Sequence, residues 1–229
     1  MIDKLLGGNN NRKLDLADVC LIGEEVLERT NDQRFKERIR NRIVFLPDTL
    51  YKKLKNLAKT KYEVDGVLLY REVWNGYFTE CRVYTPFLTG VGDEKGVRMR
   101  DNRVKILDTF LMENPDYNYI KFHTHPIGTI EKLGINNTYN FSQYDLKGII
   151  KAVSEDIRFM ALLITPFTEI LAGVGCPALV VYKETEKEEM YRVAGEEFDI
   201  HGKLKIIAKR LGYEIKPLKS IGYEGTDYY

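Results

Sequence analysis

Two of the chain's three histidines stand two residues apart, in Phe122-His123-Thr124-His125-Pro126. Side chains on a strand repeat every two residues, so both imidazoles leave the same face. The apolar pattern of residues 117–125 predicts a strand, with a loop after it. The pair therefore lies at a strand end, where a metal can be reached from solvent. Two imidazoles on one face make half of a zinc site. Downstream, Asn140-Phe141-Ser142-Gln143-Tyr144-Asp145 offers a third ligand. Ser142-x-x-Asp145 before an apolar helix also reads as a capping box. The two roles are compatible, because a capped helix start fixes both side chains. Two His and one Asp leave a tetrahedral zinc its fourth position for water, which is the pattern of a catalytic site.

Zinc lowers the pKa of bound water and polarises a carbonyl. Amide hydrolysis also needs a carboxylate that takes the water proton and passes it to the leaving amine. Glu63, Glu72, Glu80, Glu94 and Glu113 are the candidates, and spacing alone does not choose among them. Glu63 stands at the start of a predicted strand, shortly before Gly66.

These residues need a scaffold, and the pattern supplies one of α/β or α+β class. Residues 1–41 read as an N-terminal helical appendage, opened by a Gly-Gly-Asn-Asn-Asn breaker that predicts mobile first residues. Val19, Ile22 and Val26 share a helical face, and a basic stretch runs from Arg29 to Arg42. The main domain spans 42–183. It opens with a strand at 43–46, stopped by Pro47, and a helix capped by Asp48 with Leu50, Leu54, Leu57 and Ala58 inward. Strands follow at 63–70 and 77–87, then a loop marked by Gly90, Gly92 and Gly96. Asp101 caps the next helix. After the His-bearing strand comes a long loop, then a helix from Ser142 with Leu146, Ile149, Ile150 and Val153 inward. Two apolar strands are predicted at 159–165 and 170–182. The alternation suggests a sandwich of sheet and helices. Residues 184–229 form a C-terminal extension: a charged turn, a helix with Leu204, Ile207 and Leu211 closed by Gly212, and a flexible tail.

The 229 residues carry 35 basic and 34 acidic side chains, a net charge of +1. That balance gives no extended surface for nucleic acid or an anionic membrane. No run approaches a membrane span or a signal peptide. The three Cys, at 20, 81 and 176, are odd in number and widely spaced, which predicts no disulfide framework and a reducing, cytoplasmic setting. Scarce Gln beside abundant Lys and Glu leans toward a thermophilic source.

Glu63-x-x-Gly66-x-Leu68, His123-Thr124-His125-Pro126 and Ser142-x-x-Asp145, in this order, resemble the JAMM (MPN-plus) zinc metalloprotease family. The similarity spans about residues 42–183. It implies a single MPN/JAB-like domain: a mixed sheet flanked by helices, of cytidine-deaminase-like topology. It implies a zinc isopeptidase or peptidase that cuts an amide bond at the C-terminal tail of ubiquitin or a ubiquitin-like protein. On that likeness Glu63 is the general base, His123, His125 and Asp145 are the Zn2+ ligands, and Ser142 donates to the oxyanion. The partner is then a ubiquitin-like protein or its conjugates, with an oligomer or a larger complex also open. One departure is the spacer between His125 and Ser142. Residues 126–141 make sixteen where the family usually has seven, and this longer loop reads as a substrate-gating flap or an insertion without a role.

Other readings account for less. A metal-dependent barrel hydrolase needs further ligands after later strands, and only His201 remains. The deaminase motif and the P-loop and dinucleotide glycine patterns are absent. A non-catalytic MPN scaffold would have lost the ligands that this chain keeps. A zinc hydrolase acting on a non-ubiquitin substrate remains the other alternative.

Overall fold

Two helices come first among the described residues, α1 (Leu16–Glu28) and α2 (Gln33–Arg40). Each starts at an aspartate that accepts from the backbone of its own first turn, Asp15 for α1 and Asp32 for α2. This computed structural model describes residues 12–93, 96–127, 139–183 and 200–213. The expectations for the Gly-Asn breaker, most of the 126–141 loop, the charged turn and the tail fall outside those residues.

Next come β1 (Arg42–Pro47), α3 (Asp48–Ala58), β2 (Val64–Trp74), β3 (Thr79–Asp93), β4 (Gly96–Met99) and α4 (Asp101–Glu113). They are followed by β5 (Tyr117–Thr124), α5 (Gln143–Glu155), β6 (Met160–Ile164), β7 (Glu169–Gly173), β8 (Ala178–Tyr182) and α6 (Ile200–Arg210). Seven strands run in the order β7-β6-β5-β2-β3-β1-β8, and β4 folds back on β3. The sheet is mixed: β5 is antiparallel to β2 and parallel to β6. β7 and β8 stand at opposite ends of this path, yet residues 174–177 alone join them. The ends must therefore approach, and the sheet curls into a nearly closed barrel. The α/β class and the mixed sheet with helices agree with the sequence reading. The curl replaces the expected sandwich.

Parity sorts the buried side chains. Val64, Leu68 and Tyr70 of β2 and Ile120 and Phe122 of β5 join Leu50, Leu54, Leu57 and Ala58 of α3 in one apolar cluster. Val67 and Leu69, which alternate with them, join a second cluster with Ile106, Leu107 and Phe110 of α4 and Leu204 and Ile207 of α6. A third cluster packs Leu146, Ile149, Ile150 and Val153 of α5 against Val19, Ile22 and Leu27 of α1. The stretch expected as an appendage thus contributes to the core behind α5.

Several local expectations are corrected. Gly90 and Gly92 lie within β3 and Gly96 opens β4, so the expected loop is largely a hairpin. A register shift at Asp65/Gly66 accommodates the glycine-rich stretch. The single strand expected over 170–182 is two. At Gly175 φ is +73°, and a Cβ there would lie 2.7 Å from the Cα of Arg40, so the chain turns at a residue that only glycine fits. Asp48 and Asp101 occupy the first helical position, after Pro47 and Arg100, and no side chain caps either start.

Cys20 on α1 and Cys176 in the β7–β8 turn form a disulfide that closes 156 residues of separation. One bridge thus forms where the odd number and wide spacing of the cysteines predicted no disulfide framework. Distance along the chain does not limit approach in space, and the packing of α1 near β7 brings the two together. The basic stretch is also largely spoken for: Arg29 pairs with Glu25, Lys36 with Glu28, and Arg40 with Glu24 and Glu28. Arg42 is fully buried. It donates to the carbonyls of Ile39, Arg158 and Val174, at 3.2, 2.8 and 3.1 Å.

Candidate metal centre

The site is built where β5 ends, β2 begins and α5 begins. β5 stops at Thr124, but the His125 N–H donates to the Ile164 carbonyl at 2.9 Å, which holds His125 against β6 beyond the strand end. Between the two histidines, Thr124 is fully buried. Its hydroxyl accepts from the Val64 N–H at 2.9 Å, pinning the start of β2 to the end of β5. Gly66 lets that approach happen. A Cβ there would meet the Phe122 ring at 2.7 Å and the Phe87 carbonyl at 2.8 Å.

His123 and His125 point their Nε2 atoms at each other, 3.2 Å apart. Asp145 Oδ2 stands 3.6 Å from the first and 3.9 Å from the second. His123 also lies against the ring of Phe141, with centroids 5.7 Å apart. Among the described residues, His123, His125 and Asp145 form the one group of such side chains near enough to share a metal ion. The spacing suits one. Ligands about 2.0–2.1 Å from a tetrahedral zinc stand about 3.3–3.4 Å from each other.

The capping box is present. Ser142 is the N-cap of α5, its Oγ accepts from the Asp145 N–H at 3.1 Å, and Asp145 Oδ2 accepts from the Ser142 N–H at 2.8 Å. The Ser142 hydroxyl donates to the same Oδ2 at 2.6 Å. Burial pushes the Asp145 carboxyl up, but the adjacent His123 and the two Ser142 bonds outweigh it and hold the group well below the usual carboxylate range. The oxygen facing the imidazoles is therefore ionised and rigidly aimed. Capping and ligation are two uses of one geometry.

Glu63 sits immediately before β2, and its carbonyl accepts from the Gly92 N–H. In the antiparallel pairing Asp65 lies opposite His123. Glu63 is two residues before Asp65, just outside the paired part of β2. The other glutamates lie elsewhere. Glu72 is seven residues from Asp65 along β2, roughly 23 Å at strand rise, and accepts from Tyr70. Glu80 is paired with Arg82 at that far end, and Glu113 at the end of α4 pairs with Arg210. Glu94 is outside the described residues.

Asp65 was missed by the sequence reading. It is 6 % exposed and faces His123 across the strands. Burial pushes its carboxyl up, against the pull of Lys121 and His123. The period of two that put the histidines on one face also puts Asp65 with Glu63, and that signal was available. Phe141 also lines a cavity of about 510 Å³, with Leu14, Leu16, Asn140, Gln143 and Leu146. There the Gln143 amide donates to the Leu14 carbonyl and accepts from its N–H, both at 2.8 Å.

No family model matches this chain, and comparison with curated proteins finds no significant match.

Proposed function

We propose that the chain is a zinc-dependent isopeptidase or peptidase of the JAMM type, with an MPN/JAB-like domain of cytidine-deaminase-like topology. Its substrate is the C-terminal tail of ubiquitin or a ubiquitin-like protein. The observation that carries this reading is the convergence of two imidazole nitrogens and one ionised carboxylate oxygen within 3.9 Å. Two neutral imidazoles and a carboxylate suit zinc, and three protein ligands leave a fourth position open.

Zinc, when bound there, supplies an acidified water and a polarised carbonyl. Glu63 takes the proton of the attacking water and returns it to the leaving amine. Ser142 now donates to Asp145, so its hydroxyl has to rotate to serve the oxygen that becomes negative. The loop between His125 and Ser142 borders the site at both of its ends. A cytoplasmic location fits the disulfide if the source is a hyperthermophile, whose intracellular proteins carry such bonds. No helix among the described residues is long and apolar enough to cross a membrane.

The test is metal content and turnover on ubiquitin-like fusions. One zinc per chain is expected, lost in His123→Ala and His125→Ala. Hydrolysis stops with chelator and returns with zinc. Glu63→Gln keeps the zinc and loses ~10²-fold or more in turnover. Zinc retained in both His variants, or turnover indifferent to chelator, refutes the proposal.

A further inference from the structure

Both Nε2 atoms must be free of protons to hold a metal, so each imidazole must carry its proton on Nδ1. That tautomer is set by whatever accepts from Nδ1, and in metal sites a carboxylate commonly does so. Among the described residues, no hydrogen bond forms at Nδ1 of His123. Directly across the β2–β5 pair stands Asp65, and its Oδ1 is buried without any hydrogen-bond partner. A buried oxygen left so is costly, because it has given up water for nothing. Asp65 occupies a strand position whose next neighbour on that face, Val67, is apolar core. Asp145, the third ligand, lies within electrostatic reach of the same carboxylate. An acceptor without a donor thus faces a donor without an acceptor.

We propose that Asp65 is a positioning residue for His123: its carboxylate accepts from Nδ1–H and presents Nε2 to the metal. This rests on the metal-centre reading above. Asp65 is not itself a ligand, because it lies outside the group whose donor atoms are all within 4.8 Å of one another. A competitor for the carboxylate is the Lys121 ammonium, one strand period before His123.

The experiment compares full-length wild type, Asp65→Asn and Lys121→Met. Zinc affinity is measured by competition with a chromophoric chelator, and unfolding of the metal-free proteins is followed in parallel. Asp65→Asn keeps the shape but loses the charge, and its amide can donate to Nδ1 and favour the wrong tautomer. The expected result is zinc affinity weaker by about 10–100-fold, with a metal-free melting temperature no lower than wild type. Lys121→Met should stay within about twofold of wild type. Imidazole ¹⁵N NMR of the zinc-loaded wild type should show His123 protonated on Nδ1. Unchanged affinity in Asp65→Asn overturns the inference, as does a loss in Lys121→Met equal to that in Asp65→Asn. A metal-free Asp65→Asn that melts lower shows a structural role instead, and also overturns it. A wild type that binds no zinc overturns the metal reading and this inference with it.

Discussion

The two ends of the sheet treat buried polar groups in opposite ways. At the β7–β8 turn, buried Arg42 has three carbonyl acceptors, and a disulfide holds α1 to the same turn. At the β5–α5 end, two imidazole nitrogens face each other at 3.2 Å and Asp65 Oδ1 has no partner. The first arrangement is closed: every group is answered within the chain. The second is open: its groups are answered only when something joins them. A stabilising polar network and a binding site use the same residue types, and the state of their hydrogen bonds separates them.

The closed end can be broken most severely at Arg42. Arg42→Ala takes the guanidinium from three carbonyls, two of these bonds being buried, and an unfolding free energy lower by about 3–5 kcal/mol is expected in denaturant titration. Arg42→Lys should recover only part of it, since one ammonium cannot reach three carbonyls that a planar fork spans. Full stability in Arg42→Ala would dissolve the contrast.

The covalent clamp ranks next. Cys20→Ser should cost about 2–4 kcal/mol. Thiol counting checks the pairing: one thiol titrates in the unfolded, unreduced protein, and three after reduction. The native protein should show none, because burial pushes Cys81 up to about 12. The sign follows. The folded thiol keeps its proton where the unfolded one loses it, so stability is unaffected below about pH 9 and falls as pH rises from there toward 12. Three thiols without reductant would remove the clamp.

The smallest effect lies at the open end. Ser142→Ala removes an N-cap and should lower the stability of the metal-free protein by about 1 kcal/mol. Its larger signature is at Asp145, which loses its hydroxyl donor, so zinc should bind more weakly than that small change in stability suggests. A cap loss with unchanged zinc affinity would separate the two uses of the motif.

The open end was the more legible in the sequence. His123 and His125 share a face through a period of two, and Ser142 and Asp145 meet through one turn of helix, so each half of the site is local. Asp65 escaped because it lies in a stretch of mainly apolar residues, whose pattern is that of a buried strand. The closed end could not be read. Cys20 and Cys176 meet only through tertiary packing, and Arg42 finds carbonyls from three separate segments. The β7–β8 break was hidden because Val174 and Ala178 continue the apolar run across Gly175. Glycines 90, 92 and 96 looked like a loop, but a paired strand tolerates glycine when its neighbour supplies the hydrogen bonds.

The clasp between Gln143 and Leu14 joins residues 129 apart in the chain. A ribosome adding about 5–20 residues each second takes roughly 6–26 s to cover that interval. During it, Val19, Ile22 and Leu27 of α1 have been made while the α5 surface that covers them has not. The helix at Leu16–Glu28 is therefore made early and sheltered late, and its apolar face is a surface of the nascent chain that a chaperone would cover.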